Sequence, residues 1–287
     1  MYGQGLTPST PAKEYIRLNG QIIAIQNAVG ATATTGGGVS GSRGRQYAQA
    51  ITTPQSLPPT TDQNNLPVLL TGTYSFLATT ADGGQIQNAY GYDIVFTSNQ
   101  AGTNRLNWEV ENYQASTGAA TYWIRVPVLS HTADTTVYML HENASITTDQ
   151  SNKTGTWDSG YGAVWHLGKE TASSLVGDST NNYNAGGHHG GVAVAGEIDT
   201  GFGLNNGEFI PIPDTPSRRP QASIMAQSIV NFAGINGENY QNEWLNGSLD
   251  ELRISSVARS ADWIATEYNN QSNPPAFAVV GAQTARH

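Results

Sequence analysis

The chain has 287 residues, a formal net charge of −9 and no cysteine. Its scattered Arg residues and pI near 5.0 leave nothing to neutralise phosphates, which argues against a nucleic-acid partner. The missing thiols exclude a disulfide framework and any thiolate metal or redox centre. Charged residues make up only 12% of the chain, about half the usual ~25%, while Gly, Thr, Ser, Asn and Gln abound. Such polar, weakly charged surfaces fit an extracellular or cell-surface β protein. The opening "MYGQGLTPSTPAKEY" lacks the basic and apolar regions of a signal peptide, and no stretch approaches ~18 apolar residues. Membrane insertion is therefore not expected, and either the chain is a fragment whose export signal lies elsewhere or it is not exported by that route.

Residues 12–29 read as two short strands around Asn19-Gly20, the strongest two-residue hairpin signal. Residues 30–64 carry few large apolar side chains among many Gly, Thr, Ser and Pro, so a flexible linker is expected there. From Leu66 the pattern changes to strand-length runs rich in Val, Ile, Tyr, Trp and Thr: "LPVLLTGTY", "YDIVFTSN", "NRLNWEVENY", "ATYWIRVPVLS" and "TTVYMLHEN". With turn signals between them and no helical period, they predict an antiparallel sandwich. Pro127 places its strand at an edge or restarts it there.

A polar connection follows over 149–160, then "GAVWHLG", a Gly- and Asn-rich loop, "GFGLNNGEFIPIP" and "NGSLDELRIS". A helix is expected from Ser260, with Ser as N-cap, Asp262 in the first turn, and Trp263, Ile264 and Tyr268 forming an apolar stripe.

Three resemblances arise from these motifs. The "EYIRLNGQIIAI" hairpin resembles those near the ends of bacterial YD-repeat surface proteins. Residues 66–148, through "DIVFTS", "LNWEVENY", "YWIRVPVLS" and "TTVYMLHENAS", resemble the bacterial domain of unknown function that usually precedes a concanavalin A-like jelly roll. Residues 161–272, through "AVWHLG", "DSTNNYNAGGHHG" and "LNGSLDELRISSVARSADWIATEYNNQ", look like the laminin-G-like domain that follows it, shortened by several central strands. The expected architecture is all-β: a hairpin over 1–29, a linker over 30–64, a β-sandwich over 65–150, a reduced concanavalin A-like jelly roll over 160–273 with one short C-terminal helix, and a tail over 274–287.

Catalysis finds little support. "GEIDTGF" matches the E-x-D-x-x-E strand of jelly-roll glucanases at Glu197 and Asp199, but Phe202 stands where the acid/base Glu must be. A polar turn leading into the next strand is the expectation. His188 and His189, adjacent in a Gly-rich loop, cannot converge on one ion and read as exposed imidazoles, and His166 reads as a half-buried packing residue.

In "SLDELRI" side chains alternate, so Asp250 goes with Leu252 and Ile254, while Glu251 and Arg253 on the other face form a surface ion pair worth at most ~1 kcal/mol. An inward Asp250 needs either N–H donors at a strand edge or a cation. The resemblance to jelly-roll glucanases implies a structural calcium, with Asp250 as side-chain ligand, carbonyls near His166 and Gly207 as partners, and Asp178 as a further ligand or an Asx-turn residue.

The expected function is non-catalytic binding or adhesion to a glycan or other cell-surface partner. Trp157, Tyr161, Tyr183 and Trp244 are the candidates for an aromatic sugar platform. A structural subunit that self-associates through unpaired sandwich edges is the alternative, and a glucanase-like hydrolase a remote one.

Overall fold

The computed structural model describes residues 13–18, 21–27, 44–169, 176–182, 188, 190–205, 207–210, 224–226 and 246–286, with backbone alone at 13–18, 21–27 and 224–226. Met1–Ser40 and Gly41–His287 are separate units. In the first, β1 (Lys13–Leu18) and β2 (Gln21–Asn27) pair antiparallel with Leu18 opposite Gln21, while Asn19-Gly20 lies outside the described residues. A one-residue irregularity after Ile16 shifts the register.

The second unit begins with a correction to the linker boundary. β3 (Tyr47–Thr53) lies inside the supposed linker, and small residues such as Ala48, wholly buried, let it thread a sheet despite little bulk. β4 (Gln63–Thr73), β5 (Val95–Thr97), β6 (Trp108–Gln114), β7 (Ala119–Leu129) and β8 (Thr135–His141) follow at the five strand-like runs. They build a three-stranded sheet, β4-β7-β6, facing a four-stranded one in which β3-β8-β5 is completed by the C-terminal β15 (Val279–Ala285). The supposed tail is thus an edge strand of the first sandwich. The core between the sheets is aromatic: Phe96 meets Trp108 and Tyr122 edge-on with ring centroids 5.8 and 5.2 Å apart. Pro127 lies opposite Asn65, beyond Ile124 where pairing with β6 stops, so its missing N–H faces no strand.

The one-turn helix α1 (Lys153–Thr156) leads to β9 (Tyr161–Trp165), then β10 (Val192–Ala195), β11 (Thr200–Leu204), β12 (Ile224–Ala226), β13 (Gly247–Leu249) and β14 (Leu252–Ser255). These form two antiparallel sheets, β10-β11-β13 and β12-β14-β9. Trp165, Leu167, Val176, Phe202 and Leu204 form a second core, with Leu249, Leu252 and Ile254 packed on it. The chain passes from one sheet to the other at Asp250-Glu251, where Glu251 adopts φ +51°. Glu197 and Asp199 occupy the turn between β10 and β11.

Two helices return the chain to the first sandwich: α2 (Ala261–Ser272) and the one-turn α3 (Pro274–Phe277). The Ser260 hydroxyl accepts from Trp263 N–H at 3.1 Å, the expected N-cap. The apolar stripe is corrected, because Ile264 and Tyr268 are exposed and the buried positions are Trp263, Thr266, Glu267, Asn270 and Gln271. Their spacing is helical but their chemistry is polar, since the helix covers backbone and charge rather than an apolar surface. Asn270 accepts from Leu69 N–H (2.6 Å) and donates to Leu69 C=O (3.0 Å), closing the open edge of β4 as a neighbouring strand would. Asn270→Ala leaves both buried groups without partners and is expected to lower unfolding free energy by about 2–4 kcal/mol in urea denaturation; a change under about 0.5 kcal/mol would contradict this role. Among the described residues no helix is long and apolar enough to cross a membrane.

Candidate functional site

Strand β6 organises two sites, one on each face. Glu109 pairs with Trp123 and Val110 with Tyr122 across β7, but Asn112 then pairs with Thr121, which makes Glu111 the extra residue of a β-bulge. The bulge aims Glu109 and Glu111 outward from the first sandwich and brings Tyr113 to the side of Trp108 and Val110.

On that second side lies a groove of about 270 Å³. Trp108 and Val110 line its base, Tyr90, Tyr92 and Tyr113 supply rings, and Asp149, Gln150 and Ser151 supply polar groups. Tyr90 is 71% exposed and stacks on Tyr92 with centroids 5.4 Å apart. The loop bearing these rings is anchored by the buried Asp93, whose carboxylate accepts from Gln87 and Asn88 N–H at 3.0 and 3.3 Å. Gly91 sits at φ +71°, where a Cβ would come within 3.2 Å of the Tyr113 ring. Opposite, Arg105 lies over Trp108 and donates to the Gln150 carbonyl at 3.0 Å, and Asn152 N–H bonds Trp108 C=O at 2.9 Å, fixing the 149–152 wall against β6.

On the outward side the second β module covers β6 and β7. Trp165 enters the second core, so His166, next along, faces the first sandwich. Its Nδ1 lies 2.7 Å from Glu251 Oε1 and 3.4 Å from Glu111 Oε2, and its Nε2 lies 3.2 Å from Glu109 Oε2. Trp123 Nε1–H donates to Glu111 and Trp157 Nε1–H to Glu109, each at 2.7 Å. Arg253 donates to Glu251 at 2.6 Å and Glu267 at 3.3 Å beneath the Trp123 ring, 4.3 Å away. Tyr161 donates to the same Glu267 oxygen at 3.0 Å.

His166, Glu109 and Glu111 are held away from their ordinary pKa values. Burial alone would lower the His166 pKa, but Glu251, Glu111 and Glu109 outweigh it and hold it well above the usual value. Burial would raise Glu109, yet His166, Lys153 and the Trp157 hydrogen bond bring it down to about 2. Glu111 is pushed up to about 8, first by burial and then by Glu251. Four carboxylates thus meet the fixed cations Arg253 and Lys153, with Lys169, beside Glu111, paired to Asp199 at 3.1 Å, and the raised values of His166 and Glu111 favour their protonated forms.

The sequence-chosen residues distribute unevenly over these places. Trp157 and Tyr161 are 4% and 2% exposed, so they are core rings packed edge-on at 5.1 Å rather than a loop-borne sugar platform. Tyr183, Trp244 and His189 lie outside the described residues. His188 is corrected from an exposed imidazole: it is buried, edge-on to Phe202 at 4.8 Å. His166 is drawn by its ring, not only its carbonyl, into the acid cluster, and that carbonyl meets Glu251 N–H at 3.5 Å.

Asp178 accepts from Val164, Thr180 and Asn182 N–H, the arrangement of an Asx-type loop cap. Asp250 accepts from Ile198 N–H at 2.9 Å, and burial pushes its carboxyl up to about 7. Gly207 occupies the Asn205–Glu208 turn at φ +89°. The Glu251–Arg253 pair exists, but both are buried, because β14 lies between the second core and the first sandwich. Glu109 and Glu111 were not singled out by sequence; the signal was "WEVEN", two acids spaced to share a strand face.

The family model of a domain of unknown function (DUF2341) matches residues 90–160, about a quarter of the chain, and that span contains both β6 acids and every groove-lining residue except Ala89. No curated protein and no solved structure matches the chain.

Proposed function

We propose that this is a non-catalytic, extracellular carbohydrate-binding or adhesive protein that engages glycan in the groove of Tyr90, Tyr92 and Tyr113. The observation that carries the reading is the solvent-facing Tyr90–Tyr92 stack beside that groove. Aromatic faces cover the apolar faces of sugar rings, and Asp149, Gln150 and Ser151 stand where hydroxyls need partners. The paired antiparallel sheets over β9–β14 support reading the second module as a shortened concanavalin A-like, laminin-G-like jelly roll. Its part in this reading is to support the binding strands from behind.

A glycan array followed by titration of the best hit tests the proposal. The wild type should bind a selective subset of glycans, and Tyr92→Ala should weaken that binding by about tenfold or more, the loss of one stacking platform. A silent array, or wild-type affinity in Tyr92→Ala, would refute the groove. Concentration-dependent polymers without glycan binding would favour the assembly alternative through the exposed edge of β15.

A further inference from the structure

On the opposite face of β6 from the groove, and independent of it, we infer that Glu111, Glu251 and His166 form a binding site for a divalent transition metal such as zinc. One donor atom from each lies within 4.8 Å of the other two. Ligands ~2.0–2.1 Å from a tetrahedral ion stand ~3.4 Å apart, and His166 Nδ1 to Glu111 Oε2 is already 3.4 Å. Glu251 Oε1, now 2.7 Å from the same nitrogen, needs to withdraw only by a fraction of an ångström.

The surroundings match what metal ligands require. Nε2 lies 3.2 Å from Glu109, so a neutral ring that carries its proton on Nε2 has its Nδ1 lone pair free for the two carboxylates, as in a carboxylate–histidine–metal arrangement. Trp123 orients Glu111 and Arg253 orients Glu251 through their hydrogen bonds. The Glu111 side chain is 2% exposed, and among the described residues its Oε1 meets no hydrogen-bond donor, an unpartnered buried acceptor on the carboxylate whose Oε2 faces His166. Charge agrees too: with Lys169 offset by Asp199 at 3.1 Å, the acids Glu109, Glu111, Glu251 and Glu267 against Arg253 and Lys153 leave two formal negative charges, which one divalent cation balances. His166, 12% exposed, is the most open of the three ligands and marks the side of entry, leaving a fourth position for water.

The test uses the full chain stripped with EDTA and titrated with zinc chloride by calorimetry. One zinc per chain should bind at or below about 1 µM, and Glu111→Gln, which keeps the shape and the Trp123 bond, should bind at least about tenfold more weakly while retaining its circular dichroism spectrum. No stoichiometric binding by the wild type, or unchanged binding by a folded Glu111→Gln, would overturn the site. Should that variant not fold, X-ray absorption of the zinc-loaded wild type decides. One imidazole among oxygen donors is expected, and a spectrum without imidazole scattering would refute His166 as a ligand.

Discussion

Arg253→Met is expected to destabilise the second unit by about 3–5 kcal/mol, the largest effect of any single substitution proposed for this fold. The guanidinium is 3% exposed and lies between Glu251 and Glu267, with its charge over the rings of Trp123 and Trp157. Methionine fills much the same volume but leaves buried Glu267 without its cation and Glu251 with His166 alone. The loss comes from stranded charge rather than from lost packing. Replacing all three together, with Met at 253 and Gln at 251 and 267, should recover most of the stability, because no buried charge then lacks a partner. Chemical denaturation of both proteins decides: a single variant within about 1 kcal/mol of wild type, or a triple variant no better than the single, would show that the cluster does not hold the two sheets together.

The same residues show why the first sandwich was legible in the sequence and the joint between modules was not. Period-2 runs bounded by Gly and Asn located β4 to β8, because each has one face on a large apolar core. β3 and β15 escaped because "YAQAITT" and "VVGAQTA" gain their place from neighbours: β3 lies between β15 and β8 and needs backbone partners more than apolar bulk. Helix α2 was legible in its cap and not in its face, since hydropathy points to Ile264 and Tyr268 while Asn270 and Glu267 are what the sheet edge and Arg253 demand. "DELRI" alternated as expected, yet both of its faces are covered, and alternation alone cannot tell a one-sided strand from a two-sided one. The β6 bulge is a similar case: strict alternation sets Tyr113 with the acids, and only the pairing with β7 reveals that one inserted residue has moved it to the groove.

The metal-free protein should become less stable as pH rises from about 5 to 8, the reverse of the usual acid-side weakness of proteins. Glu111 has a folded pKa of about 8 against an ordinary 4.5, so the folded state binds its proton more tightly than the unfolded chain does. That contribution is fully present below about pH 4.5 and vanishes as pH climbs through 8. His166, also raised, acts with the same sign, its stabilisation present below the ordinary imidazole value and lost above its folded one. Glu109 works the other way: its contribution is present above the ordinary 4.5 and is lost as pH falls from there to about 2, below this window. Glu111 alone accounts for on the order of 3 kcal/mol between pH 5 and 8, or roughly 6–12 °C in melting temperature for a unit of this size. Melting curves of EDTA-treated protein across that range should fall accordingly, and Glu111→Gln, which cannot titrate, should flatten most of the slope. A melting temperature that holds level or rises from pH 5 to 8 would mean that Glu111 is ionised in the folded protein, with its charge met by a cation already in place.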